Sequence, residues 1–249
     1  MAKPTLEQVK EIEDLIASAL ELEKEGSDES KAKAAKLKQT AIGLADRYYR
    51  IPVPKKKNGK PVMPKEAKYV RDDMWGTTLG VSEIKDADGD GVDDETGHEI
   101  GDIDVEIGDR AFLLKGKPSA AILACTKVHE IVGHGKQVGD DGTFPDERDE
   151  DDPGYVGEFE LEVEAVNAAL DFARASGMPK DVLEDVMTLK KQEFDQMPAD
   201  RQKVWKNKEP WLARFEPPGE KEGAGAVEFR ARYAHRRCRR KSPGNASLA

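Results

Sequence analysis

The chain has 249 residues, 36% of them charged, and a net charge of −10. That length can bury a sizeable core in one large domain or two small ones, while the acidic balance argues against a nucleic-acid partner. No apolar run reaches the roughly eighteen residues of a membrane span, and two cysteines, Cys125 and Cys238, exclude a disulfide scaffold.

The opening residues Met-Ala-Lys-Pro-Thr-Leu-Glu lack the apolar stretch of a secretory signal. A cytoplasmic location, or export without a cleavable signal peptide, is therefore expected. Val9, Ile12, Leu15, Ile16 and Ala19 recur at helical spacing behind Pro4. Gly26-Ser27-Asp28 interrupts them, and a second helix is predicted over 29–49, with Ala35, Leu37, Ala41, Leu44 and Ala45 as its apolar positions. Residues 1–50 thus read as a helical hairpin. Residues 51–80 read as an extended linker, rich in proline and lysine to position 69. Residues 81–215 read as the metal-binding body, and 216–249 as a basic tail.

Within the body, Ile103, Val105 and Ile107 alternate with Asp102, Asp104 and Glu106, the pattern of a half-buried strand. Gly108-Asp109 turns it into a second predicted strand over 110–114. Ser119 occupies a helix-cap position, and the helix that follows, to Gln137, is apolar on most faces and so buried. Helices are predicted over 156–176 and 181–197, separated by Gly177-Met178-Pro179. The fold class is α+β: mostly helical, with a small antiparallel sheet packed on the buried motif helix and a helical hairpin at the N-terminus. Residues 140–152 are strongly acidic and 230–241 strongly basic, and both read as solvated segments.

His129, Glu130 and His134 fall on the buried helix, which holds two of the four histidines of the chain. Burying an unpaired polar group costs roughly 2–7 kcal/mol, and a metal ion is an efficient partner for two imidazoles and a carboxylate. In the common His-Glu-x-x-His arrangement the histidines stand four apart and share a face, and the glutamate is the general base. Here the spacing is five, which separates the rings by about 140° in a regular α-helix. A single π-type bulge restores a common face, and such bulges favour functional sites. Gly133 lowers the steric cost of that distortion.

His-Glu-Ile-Val-Gly-His at 129–134 resembles the His-Glu-Leu-Leu-Gly-His motif of the dipeptidyl peptidase III family of zinc peptidases. The resemblance implies a zincin-type site, with His129 and His134 as zinc ligands, Glu130 as catalytic base and a third ligand from a glutamate on a later, glutamate-rich helix. It covers the six-residue motif and, loosely, that helix. The chain is far shorter than the enzymes of that family, so their dipeptide-releasing specificity does not carry over.

Helical phase selects among the later glutamates. On a wheel of 100° per residue, Glu160, Glu164, Asn167 and Asp171 share a polar face. Glu162 falls among Phe159, Val163, Val166, Ala169, Leu170 and Ala173, on the buried side. A buried carboxylate needs a cation or a protonation shift, which makes Glu162 the expected third ligand. Glu158, one turn earlier, is the alternate ligand or a partner that orients a histidine. Tyr155, Tyr233 and His235 are candidate oxyanion stabilisers. Cys125, four residues before His129, reads as a buried core residue.

A second cation site is suggested by residues 86–94, Asp-Ala-Asp-Gly-Asp-Gly-Val-Asp-Asp, which resemble EF-hand and thrombospondin-type calcium loops. Asp86, Asp88, Asp90 and Asp94 would supply carboxylates, Val92 its carbonyl and Gly91 the sharp turn. Gly97 stands where such loops carry a bidentate glutamate.

The expected function is that of a zinc metallopeptidase acting on peptide or protein substrates. General resemblance to small zincin toxins implies a bacterial effector or toxin domain. The competing readings are a non-catalytic calcium-binding or interaction module and a degenerate zincin fold that holds metal without turnover.

Overall fold

The computed structural model describes residues 3–55, 61, 67–147 and 156–215. Two antiparallel helices open the chain. Helix α1 (Leu6–Glu25) begins at a capping box, in which the Thr5 hydroxyl accepts from Gln8 N and the Gln8 side chain accepts from Thr5 N. Such a cap is worth about 1 kcal/mol. Gly26 ends the helix in the left-handed conformation, φ +78°. Helix α2 (Asp28–Tyr49) is capped by Ser27, whose hydroxyl accepts from Ser30 N.

The buried stripe of α2 is Ala34, Lys38, Ala41, Ile42, Ala45 and Tyr49. It is displaced by one position from part of the predicted stripe, since Ala35 and Leu37 are only half-buried. The displacement admits a lysine. Lys38 Nζ lies 2.8 Å from Glu23 Oε1 and 2.6 Å from Asp109 Oδ1, over the rings of Tyr69 and Phe112. Two carboxylates and two ring faces replace the water that the ammonium gives up.

The small sheet has three strands in the order β1 (Lys68–Tyr69), β3 (Ile103–Ile107), β2 (Gly76–Gly80). Strand β3 is central, antiparallel to β2 and parallel to β1. The sheet is therefore mixed, and both of its outer strands come from the predicted linker. Their composition, Lys-Tyr and Gly-Thr-Thr-Leu-Gly, carries no alternation of apolar residues.

The predicted strand over 110–114 is replaced by a 3-10 turn, Asp109–Phe112, followed by the short hairpin β4 (Leu113–Leu114) and β5 (Lys117–Pro118). The cause is competition for backbone N–H groups. Those of Gly108, Asp109 and Arg110 donate to the carbonyls of Trp75, Asp72 and Met74, so they are spent before a strand partner can form.

Helix α3 (Ala120–Val128) is buried along its whole length and capped by Ser119. It runs into a π-helical turn, His129–Gly133, and a 3-10 turn, His134–Lys136. Helix α4 (Glu158–Ala175) packs on this turn, and α5 (Lys180–Gln196) packs on α4. Ile12, Ile16, Ala41, Ile42 and Tyr49 of the hairpin share one core with Val128, Ile131 and Val132 of the motif segment and with Val166 and Leu170 of α4. Tyr49 meets Phe172 at 6.3 Å between ring centroids, and Lys127 of α3 pairs with Asp46 of α2.

A further helix, α6 (Ala199–Lys208), and a 3-10 turn, Pro210–Ala213, were not expected. They close a second apolar cluster of Val163, Phe194, Met197, Trp205 and Leu212. Their arrival alters the reading of α4. Glu160, expected on a polar face, is buried, with its carboxylate bonded by Arg201 and by Trp205 Nε1 at 3.0 Å. The basic tail and its residues Tyr233, His235 and Cys238 lie outside the described residues, as do Tyr155 and positions 148–152 of the acidic segment. No helix among the described residues is long and apolar enough to cross a membrane.

Candidate metal centre

The π-helical turn solves the spacing problem. One extra residue in the turn brings rings five positions apart onto one side, and His129 Nε2 stands 3.1 Å from His134 Nε2 with the ring planes nearly perpendicular. Gly133 contributes in a different way from the one expected. Its backbone is right-handed, φ −65° and ψ −71°, so no special conformational freedom is used. A Cβ there would stand 2.7 Å from the Cα and Cβ of Ala165. The missing side chain lets α4 rest directly on the motif backbone.

That close approach delivers Glu162. Its Oε2 lies 3.2 Å from His129 Nε2 and its Oε1 lies 3.4 Å from His134 Nε2. The two imidazoles and this carboxylate are each at least nine-tenths buried. Burial opposes ionisation of Glu162, yet the neighbouring His134 and His129 hold its carboxyl well below the usual carboxylate range. Burial likewise disfavours a charged His134, but the Glu162 charge lifts this imidazole to about 9.

Two polar atoms of the group make no hydrogen bond among the described residues: Glu162 Oε2 and His129 Nδ1. An unsatisfied buried carboxylate oxygen is costly, and a cation bonded to the carboxylate and to the two imidazoles beside it would satisfy that oxygen. The donor set, two nitrogens and one oxygen, suits zinc. His129, Glu130 and His134 are also a group whose ligand atoms lie within 4.8 Å of one another.

Glu130 is held from the other side by the edge strand β2. The Thr78 hydroxyl is 2.8 Å from Glu130 Oε2 and 3.1 Å from the Glu130 carbonyl oxygen. Gly76 lies flat against the carboxylate, since a Cβ there would meet Glu130 Oε1 at 2.7 Å. With Oε2 engaged by Thr78, Oε1 is the oxygen turned toward the histidines, 4.0 Å from His129 Nε2. Gln137 braces His134. Its Oε1 lies 2.8 Å from His134 Nδ1, and its Nε2 donates to the carbonyl of Leu161 at 2.8 Å. The Phe144 ring stands edge-on to His134 at 6.1 Å.

Glu193 of α5 was not anticipated. It is 1% exposed, and its carboxyl is pushed up to about 8, first by burial and then by the charges of Glu162 and Glu158. Glu158, the alternate ligand, is half-buried one turn before Glu162. Cys125 is seated in the core with its Sγ 3.4 Å from Met178 Sδ.

In the acidic loop, the carboxylates of Asp86, Asp88 and Asp90 come within 4.8 Å of one another. Asp86 accepts from the N–H groups of Gly89, Asp90 and Gly91, Asp90 accepts from Val92 N, and Asp94 accepts from Ala87 N. Gly91 sits at φ +84°, as the expected sharp turn requires. Comparison with protein-family models, curated proteins and solved structures finds no match for this chain.

Proposed function

We propose that this protein is a zinc-dependent metallopeptidase, with His129, His134 and Glu162 as ligands and Glu130 as general base. The observation that carries the proposal is the convergence of two Nε2 atoms and one carboxylate within 3.1–3.4 Å of one another, beside a fourth group, Glu130, that is separately held. Three protein ligands with one open position is the pattern of catalytic rather than structural zinc. When bound, zinc supplies a Lewis acid for the scissile carbonyl and lowers the pKa of water to about 7.

The residues then divide the work. His129, His134 and Glu162 bind the ion. Thr78 occupies one oxygen of Glu130, which leaves Oε1 to take a proton from the attacking water and return it to the leaving amine. Gly76 leaves room for that carboxylate beside the strand. Peptide as substrate class is supported by the resemblance of residues 129–134 to the dipeptidyl peptidase III motif.

Calcium is a second proposed cofactor, held by Asp86, Asp88 and Asp90 in an oxygen-only cluster of the kind hard cations take. Its role there would be to stiffen the loop ahead of β3.

The test compares the natural chain with Glu130→Gln on casein or a peptide library, with zinc content measured on both. The expected result is one zinc per chain in each and cleavage only by the natural chain. Equal cleavage by the variant would remove Glu130 as base, and absence of zinc from both would remove the metal centre.

A further inference from the structure

We infer that Gln137 is a positioning residue that fixes the protonated nitrogen of His134 and locks that ring to the helix carrying Glu162. The inference rests on the metal reading above and concerns how the site is held in shape.

Hydrogen-bond chemistry decides the direction of each bond. The Leu161 oxygen is a backbone carbonyl and only accepts, so the end of the Gln137 amide facing it, 2.8 Å away, is the NH2 group. The other end is therefore the amide oxygen, which also only accepts. The hydrogen between Gln137 Oε1 and His134 Nδ1 consequently resides on the imidazole. In the neutral ring this leaves the lone pair on Nε2, the nitrogen that faces His129 and Glu162.

The same amide has a mechanical consequence. Leu161 directly precedes Glu162 on α4, so one side chain connects a ligand ring to the backbone unit adjoining the ligand carboxylate. Both ends of Gln137 are used, and neither bond survives if the amide rotates by half a turn. Among the described residues His129 has no equivalent brace, since its Nδ1 makes no hydrogen bond there. His134 is also the ring that follows the π-helical turn, where the chain has already left regular helix. It is the ligand with most need of an external support.

Two variants separate this role from simple packing. Gln137→Leu keeps the approximate volume and removes both bonds. Gln137→Glu keeps an acceptor for the Nδ1 proton and loses the donor to Leu161. Zinc affinity is measured on the full chain by competition with a chromophoric chelator. The His134 Nδ1 proton is followed by nitrogen-15 correlation spectra of the zinc-loaded protein.

The natural chain is expected to hold one zinc with a slowly exchanging Nδ1 proton. Gln137→Leu should keep one zinc per chain, lose about ten- to a hundredfold in affinity and exchange that proton rapidly. Gln137→Glu should keep the slow exchange and recover part of the affinity. Natural affinity and slow exchange in Gln137→Leu would overturn the assignment while leaving the metal centre intact. Absence of zinc from the natural chain would overturn both. If the leucine variant does not fold, rapid exchange in Gln137→Glu would overturn the assignment and slow exchange would support it.

Discussion

Replacing Gly133 by alanine sets two opposed effects against each other. Glycine inside a helix costs roughly 0.5–1 kcal/mol relative to alanine, because its backbone loses more freedom on folding. Gly43, exposed in the middle of α2, isolates that term, since a Cβ there meets nothing within 4 Å. Gly43→Ala should therefore stabilise the protein by about that amount. At Gly133 the new Cβ would stand 2.7 Å from Ala165 Cα and Cβ and 2.8 Å from its carbonyl oxygen. None of these atoms can rotate away. Helix α4 must recede by roughly 0.7 Å before ordinary contact at 3.4 Å is restored. Overpacking of this kind costs about 1–3 kcal/mol, at least as much as the propensity gain, so a net loss of up to about 2.5 kcal/mol is expected. Glu162 lies one turn from Ala165 and moves with it, so zinc affinity should fall about tenfold or more. Urea unfolding of the metal-free variants and chelator competition measure the two effects. A Gly133→Ala protein as stable as Gly43→Ala, with natural zinc affinity, would refute the account of how α4 meets the motif.

Thr78→Val removes the hydroxyl that holds Glu130 without changing its volume; turnover should fall on the order of tenfold with KM and zinc content little changed, as read from steady-state kinetics and elemental analysis. Glu193 has its folded pKa raised from 4.5 to about 8, so the natural protein loses stability as pH rises through that window. Glu193→Gln escapes that loss, and its stability advantage in urea titrations should grow from about pH 4.5 to about pH 8 and then level; a constant difference across that range would contradict the buried, protonated state. The Cys125 thiol is buried and pushed up to about 12, so at pH 8 iodoacetamide should leave it unmodified in the native protein and label it in denaturant, as peptide mass mapping would show.

The meeting of His129, His134 and Glu162 was largely legible because their chemistry is scarce and their phase is strict. Two histidines on a helix apolar on most faces, and one glutamate out of phase with its polar neighbours, have few uses other than a shared cation. The five-residue spacing carried its own remedy, a π-helical turn. The residues that hold the site were not legible, and the reason is sequence distance. Thr78 and Gly76 reach Glu130 from 52 and 54 positions away, along a strand whose Gly-Thr-Thr composition shows no alternation. Gln137 looks like a solvated helix end until α4 supplies the Leu161 carbonyl.

Buried charges misled for a related reason. Lys38 and Glu160 each look solvated on a helical wheel, and each is buried because an element remote in the chain brings a partner. Asp109 reaches Lys38, and Arg201 with Trp205 reaches Glu160. Gly133 was read through its backbone freedom, whereas the fold uses its lack of a side chain.

The most direct measurement is anomalous diffraction at the zinc edge from crystals of the zinc-loaded protein. A single peak is expected, about 2.0–2.2 Å from His129 Nε2, His134 Nε2 and a Glu162 oxygen, with Glu130 outside bonding distance. No peak between those side chains, or one coordinated instead by the Asp86 loop, would contradict the assignment.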